Sequence, residues 1–451
     1  MAMPVFRIGC GAGFGGDRLD AAVAVVGALV DAGGPACLMI ETLAERTLAL
    51  AQLERSAGRI GYDAHLEGRL EPILKACLDH RIAIVGNFGA ADPEGAARAI
   101  AALAGRLGCR APKIAVISGD ELVSNSRDEA LSALLATGVP AGETVISANA
   151  YLGAREIAAA LSDGADVVVT GRVADPALAV GPIAAYFGWD FDDCDRIAAA
   201  TMAGHLLECG AQVTGGYFCD PGFKDVDGLE TVGFPICEVS EDGSLVVTKP
   251  QATGGCVTER TVKEQLLYEI HDPSAYLTPD VVLDLTGVEV REIGADRVHV
   301  SGARGRTRPP TLKATVCYDG GFIGEGEISY SGPNALARAQ AAMRVVKHRV
   351  DPALKLRADL IGTASLFADD AGRWIASSEL ASSSDVRLRI AVAAKDRKAV
   401  EAAIYEVGAL YTCGPAGGGG VRTSVRSRVS TGSVLVPRDH ISPTCRFFGG
   451  L

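Results

Sequence analysis

Three groups of residues have the types and spacing to do chemistry. In AGHLLECGAQVTGG, His205 and Glu208 stand three apart and so share one helix face. A histidine that titrates near neutrality, oriented by a carboxylate, is a general acid–base pair; the same spacing also serves a structural histidine. The second group closes successive apolar runs: Glu41-Thr42, Asn87, Gly119-Asp120, Asn149 and Thr170-Gly171-Arg172, with Asp175 shortly after. Arg172 could clamp a carboxylate or phosphate with two parallel hydrogen bonds, or spend itself in a salt bridge to Asp175 or another acid. Asp92 before Pro93 and Asp175 before Pro176 also read as helix caps.

The third group is glycine-rich. GCGAGFGGDRLD carries a G-x-G-x-x-G at Gly11, Gly13 and Gly16 behind the apolar run Val5–Ile8. A dinucleotide site also needs an acid about 20 residues on, at the tip of the second strand. Here that acid, Glu41, lies 25 residues after Gly16, and Asp17 would oppose a phosphate. Asp17 reads as a helix N-cap. The loop is then a turn into a helix, or a place where a small anion or a CoA moiety meets backbone amides. A nicotinamide-dependent oxidoreductase is the alternative it leaves. KPQATGGC, with Lys249 and Gly254, and CGPAGGGGVR, Cys413 to Arg422, are binding loops or flexible turns with basic ends.

The elements that must position these groups follow from periodicity. Through about residue 216, short apolar runs alternate with Ala/Leu-rich helical stretches. Candidate strands are Phe6–Gly9, Ala36–Glu41, Ile82–Asn87, Lys113–Ser118, Thr144–Asn149 and Ala165–Thr170; Leu19–Val30 and Glu94–Leu107 are candidate helices. Strands apolar on both faces belong to parallel sheets. The expectation is an α/β fold: a doubly wound, mostly parallel sheet in residues 1–220, preferred over an eight-stranded barrel, with its strand tips around one ligand crevice. After Asp220-Pro221-Gly222 the texture changes. ICEVSEDGSLVVTKP and GFIGEGEISYSG read as antiparallel hairpins, and DVRLRIAVAAKDRKAVEAAIYEVGALYTCG as strand, helix and turn. Residues 221–451 are therefore expected to form an α+β domain that serves assembly and completes the site.

The bulk numbers exclude several classes. A net charge of −12 argues against nucleic acid as the main partner. At 48% apolar and 22% charged residues, the 451-residue chain is globular rather than disordered. No apolar run approaches the roughly 20 residues of a membrane span, and the N-terminus lacks a signal-peptide pattern, so the cytoplasm is the expected location. The 12 cysteines form no C-x-x-C pair and the 7 histidines are dispersed, so no metal is expected. G-x-S-x-G and Walker-type motifs are absent.

IGCGAGFGGDRLDAA, ETLAERTLAL, GNFGAADP, GADVVVTGRVADPALA and GHLLECGAQVTGGYF together resemble the AtuA family, the acyclic terpene utilisation proteins, from about residue 5 through KPQATGG and beyond. The resemblance implies a bacterial cytosolic protein of citronellol-, geraniol- or other branched-acid catabolism, with substrates processed as CoA thioesters and a hydratase or lyase role. Some relatives carry a further small C-terminal domain, or have it as a separate polypeptide; this chain stops at CRFFGGL, which implies a small partner subunit. The expected function is proton abstraction next to a carbonyl, with hydration, dehydration or carbon–carbon cleavage of a carboxylate or acyl-CoA. Arg172 would be the clamp, Asn87, Asn149 and the glycine-loop amides the enolate stabilisers, and Asp120, Glu41 or His205 the proton carrier. No cofactor is expected to bind tightly, CoA entering only as part of the substrate. The rival is a non-catalytic metabolite-binding or scaffold subunit. Exposed edges in the hairpin half lead to an expected homo-oligomer.

Overall fold

The computed structural model describes residues 4–123, 128–366, 373, 375 and 383–449. The fold is α/β, as the periodicity predicts. The six apolar runs become β1 (Val5–Gly13), β2 (Ala36–Glu41), β3 (Ala83–Gly86), β4 (Ile114–Ser118), β5 (Val145–Ala150) and β6 (Val167–Thr170). Five of them run parallel in the order β1-β2-β3-β6-β4. Every residue of β2 and β6 is buried, because helices cover both faces. Gly9 and Gly11 of β1 lie against Val25, Leu29 and Ala22 of the helix Ala21–Ala32. On the opposite face Phe6 stacks at 4.8 Å on Tyr186 of the helix Ala177–Phe187. The helix Pro93–Arg106 starts on a true cap: Asp92 accepts from the Gly95 amide at 2.9 Å, with Pro93 in the first turn.

β5 departs from the expected sheet. It pairs instead with β14 (Thr311–Ser331), a partner about 160 residues away that no local pattern could reveal. Its end stays beside the tip of β4, where the Ala150 amide donates to Asp120 O at 2.7 Å.

The boundary expected at residue 220 is also displaced. β7 (Ile236–Ser240) and β8 (Leu245–Thr248) form the expected hairpin, but β7 pairs antiparallel with β1 and β8 with β12 (Arg297–Ser301), which pairs with β11 (Glu289–Gly294). The ten-stranded sheet thus runs β11-β12-β8-β7-β1-β2-β3-β6-β4-β18, closed by β18 (Thr444–Phe447) antiparallel to β4. Both outer edges of the β7–β8 ribbon, expected to need a second chain, are covered within this one. A small antiparallel sheet of β9 (Tyr276–Leu277), β10 (Val282–Asp284) and β13 (Arg304–Arg306) joins the same unit.

Two compact units result: Met1–Cys317 with Thr431–Leu451, and Tyr318–Ser430. Among the described residues the second is a β-α-β-β-α-β arrangement. Its helices Ala335–Arg349 and Arg397–Cys413 pack on a sheet ordered β15 (Lys355–Ile361), β16 (Asp385–Ala394), β14 and β17 (Gly419–Pro437). GFIGEGEISYSG is no hairpin: it lies within β14, pairing continuously with β16 from Phe322 to Ser331. Gly324 and Gly326 leave room for Val400, Ile404 and Val407 of the covering helix rather than making a turn.

One glycine controls how closely the strand ends approach their neighbours. A Cβ on Gly13 would sit 2.2 Å from Gly210 N and 2.4 Å from Glu208 O, whereas one on the exposed helical Gly27 meets nothing within 4 Å. Gly27→Ala should therefore stabilise by roughly 0.5–1 kcal/mol, and Gly13→Ala should destabilise by about 1–3 kcal/mol. Thermal melts followed by circular dichroism check the order; a Gly13→Ala midpoint at or above the parent's contradicts it.

Candidate functional site

The first unit holds a cleft of about 940 Å³ at the carboxyl ends of β1, β2 and β6. Its centre is Arg172, which follows β6 and is fully buried. A guanidinium without water must be matched donor by donor. Its Nε donates to Val173 O at 2.8 Å, Nη1 donates to Leu43 O just past β2, and Nη2 donates to Val173 O and to the Asp175 carboxylate. The plane also lies over the Tyr151 ring, with Cζ 4.5 Å from its centroid. The anion clamp expected from the sequence is thus spent on the protein itself. Asp175 is its salt-bridge partner and caps no helix: the helix Ala177–Phe187 begins at Pro176 without a side-chain cap.

Glu41 closes β2, buried, with Oε1 accepting from the Leu43 amide at 2.7 Å and from Asn87 Nδ2 at 2.9 Å. Burial and the Asp175 carboxylate push its pKa up to about 8, against the pull of Arg172. Asp175, its side chain 37% exposed, is also raised, desolvation outweighing the opposing pull of the Arg172 charge. One guanidinium therefore bonds the open Asp175 carboxylate and acts through its charge alone on the enclosed Glu41.

His205 and Glu208 also line the cleft, at the end of the helix Cys194–Leu207, and they do pair: Nδ1 lies 2.7 Å from Oε1. Burial lowers the tendency of His205 to charge, but the Glu208 carboxylate overcomes this and raises its pKa. Burial pushes Glu208 up to about 7. Tyr151, Glu45 and Lys313 carry no signal of their own in the sequence. Tyr151 donates to Glu45 at 2.5 Å and Lys313 to the same oxygen at 2.9 Å. Burial alone would raise the Glu45 pKa, yet these two donors hold it at about 2.

The other expected site residues are distributed differently. Asn87 is fully buried and does not line this cleft; it fixes Glu41 and accepts from the Thr42 amide at 2.8 Å. Asp120 and Asn149 are joined at 2.8 Å and line a separate cavity of about 260 Å³. Asp120 also accepts from the Arg172 amide at 2.9 Å, an approach that Gly171 permits, since a Cβ there would lie 2.8 Å from its carboxylate. The tips thus divide between two cavities, because β5 has left the sheet and Arg172 turns towards β2. Lys249 is buried against Thr253 O at 2.8 Å and Asp296 at 3.3 Å, and Gly254 abuts Gly228 O; neither lines a cavity named here. The loop Cys413 to Arg422 belongs to the second unit.

The opening glycine loop is a turn tied down by charge. The Gly13 amide donates to the Asp17 carboxylate at 2.8 Å, and Arg69 Nη2 donates to Gly15 O at 2.6 Å. Asp17 is therefore not the N-cap; the helix begins four residues later at Ala21, preceded by Asp20. Gly11 gives the helix its close approach to β1, a Cβ there lying 3.2 Å from that of Ala22, and Gly16 makes room for the Phe14 ring. With a carboxylate on the Gly13 amide, the loop has the wrong charge for a pyrophosphate.

Among the described residues no His/Cys/Asp/Glu group could hold a metal ion, and no helix is long and apolar enough to cross a membrane. A family model described as "Acyclic terpene utilisation family protein AtuA" matches residues 6–447, nearly the whole chain. Comparisons with curated proteins and with solved structures find no match.

The raised Glu41 pKa makes stability depend on pH. The folded state takes up a proton the unfolded chain lacks between pH 4.5 and about 8, so the cost of burying this carboxylate is absent below that window and complete above it. Glu41→Gln should gain on the parent in thermal midpoint as pH rises from 5 to 8.5. A difference that stays constant over that range contradicts a raised Glu41.

Proposed function

Because the chain belongs to the acyclic terpene utilisation family AtuA, we propose that the cleft is the active site of an enzyme that moves a proton next to the carbonyl of a branched acyl thioester or the corresponding acid, with hydration, dehydration or carbon–carbon cleavage. The observation that carries this reading is the pair of carboxyl groups at Arg172. Near neutral pH Glu41, with a pKa of about 8, is a proton donor, while Asp175, open to the cleft beside a guanidinium, is the acceptor.

The lining supports an uncharged, apolar reacting end. Asp17, Glu41, Glu45, Asp175, Glu208 and Glu269 face Arg172 and Lys313, and these two cations are already bonded to protein oxygens. At the rim, Phe14 is 58% exposed, Tyr217 84%, Leu277 64% and Leu435 63%. Exposed apolar side chains gathered at one cleft mark a surface that binds apolar ligands. A branched hydrocarbon chain fits that rim, and a thioester presents its carbonyl without the charge of a free acid.

Incubation with 3-methylbut-2-enoyl-CoA in D₂O should introduce deuterium at carbon, read by mass spectrometry. Asp175→Asn should slow the exchange by about 100-fold or more, the usual contribution of a positioned acid or base. Exchange at the parent rate in Asp175→Asn removes the assignment. Binding without exchange in the parent favours a metabolite-binding subunit instead.

A further inference from the structure

A base that takes the hydrogen next to a carbonyl leaves negative charge on the carbonyl oxygen, and a fixed positive group aimed at that oxygen lowers the barrier most. The donors that the sequence suggested for this task are engaged elsewhere. Asn87 is bonded to Glu41, Asn149 lines the smaller cavity, and the Gly13 amide donates to Asp17 at 2.8 Å. Among the described residues, three groups lining the cleft can be positive: Arg172, His205 and Lys313. Arg172 and His205 are each 1% exposed and bonded to carboxylates of their own, Asp175 and Glu208. The Lys313 side chain is 47% exposed.

Lys313 reaches the cleft because β5 has left the parallel sheet. With β5 on β14, the Tyr151 amide donates to Lys313 O at 2.8 Å, and both side chains line the cleft. Leu312 and Ala314 on either side are buried, so strand alternation turns Lys313 outward. Its ammonium gives one of three protons to Glu45 Oε1 at 2.9 Å. It also lies 4.8 Å from the centroid of the Tyr151 ring, which the Arg172 guanidinium approaches to 4.5 Å. Burial works against this charge, but Tyr151 and Glu45 outweigh it and raise the Lys313 pKa. The lysine is thus a lasting positive charge rather than a proton carrier, and it favours the charged form of Asp175. We infer that the Lys313 ammonium is the oxyanion donor of this cleft: it binds the carbonyl oxygen of the thioester and stabilises the enolate formed there.

This rests on the reading of the cleft as an acid–base site and supplies the group that reading lacks. The C–H bond beside the carbonyl breaks and its proton passes to the Asp175 carboxylate. The electron pair left behind forms a C=C bond, while the carbonyl π pair moves onto the oxygen beside Lys313. An uncharged thioester gains little from the ammonium before that step and much during it, so Lys313 should govern rate more than affinity. Glu45 holds the ammonium in place and cancels part of its charge.

The test follows deuterium uptake next to the carbonyl of the S-pantetheine thioester of 3-methylbutanoate, which lacks the phosphates that an acidic cleft would repel, on the intact chain in D₂O. Lys313→Met should slow uptake by about 100-fold or more, the usual loss for an oxyanion donor, while the calorimetric affinity for the thioester holds. Glu45→Gln can still accept both hydrogen bonds but no longer opposes the ammonium, so its uptake should exceed the parent's. Uptake at the parent rate in Lys313→Met, or an equal loss in Glu45→Gln, overturns the assignment and leaves the cleft reading standing. A measurement on the parent decides even where a variant does not fold. Bound S-acetoacetylpantetheine should develop its ultraviolet enolate band about one pH unit below the free thioester, a tenfold shift in the equilibrium. A band at the same pH or higher overturns the oxyanion donor. If the parent takes up no deuterium, the cleft reading itself falls, and this one with it.

Discussion

The site depends on one buried cation. The Arg172 guanidinium has no access to water, and an uncompensated charge in that position would cost the fold several kcal/mol. The carbonyls of Leu43 and Val173 and the Asp175 carboxylate supply the compensation, and each comes from a chain segment leaving the sheet. Satisfying the arginine therefore ties the end of β2 to the end of β6, across β3 between them. The positive charge then acts on Glu41 and Asp175, opposing what burial does to both. Removing the guanidinium would release the strand tips and discharge the carboxyl pair together, so fold and chemistry share one constraint here.

The same principle governs the glycine loop. Backbone amides at a strand-to-helix turn attract negative charge, and in this chain Asp17 provides it from four residues away. The close approach bought by Gly13 is used to seat the turn after the helix Cys194–Leu207, which carries His205 and Glu208 to the cleft. Glycine spacing alone states only that backbones come close. Which backbone comes close depends on residues about 200 positions away.

That distinction separates what was legible in the sequence from what was not. The parallel strands read correctly because burial on both faces leaves a continuous apolar run, and the pairing of His205 with Glu208 because helical spacing fixes it. The departure of β5 was hidden: VISANA satisfies the apolar requirement in either sheet, and its partner is specified only by tertiary packing. The tip residues were found, but their grouping was not, since Asp120 and Asn149 face one cavity while Glu41 and Arg172 face another. Arg172 carried an ambiguity of its own. The sequence allowed either a ligand clamp or a salt bridge to Asp175, and full burial decides for the salt bridge. Lys313 and Tyr151 gave no sign, because each acquires its meaning from a neighbour distant in sequence.

Two acid–base couples then meet in one cleft, built on different elements and tuned by different means. Glu41 and Asp175 differ in exposure and share a cation; His205 and Glu208 share a proton in a setting where burial opposes charge on either one. Burial raises both carboxyl groups towards neutrality, Glu41 to about 8 and Glu208 to about 7, so neither is locked in one protonation state near pH 7. A carboxyl group in an ordinary structural salt bridge is driven the other way, as Glu45 is beside Tyr151 and Lys313. The cleft thus separates its acids by task. Glu45 is a fixed negative charge that holds the wall, whereas burial leaves Glu41 and Glu208, the latter on the His205 imidazole, close to the point of exchanging a proton.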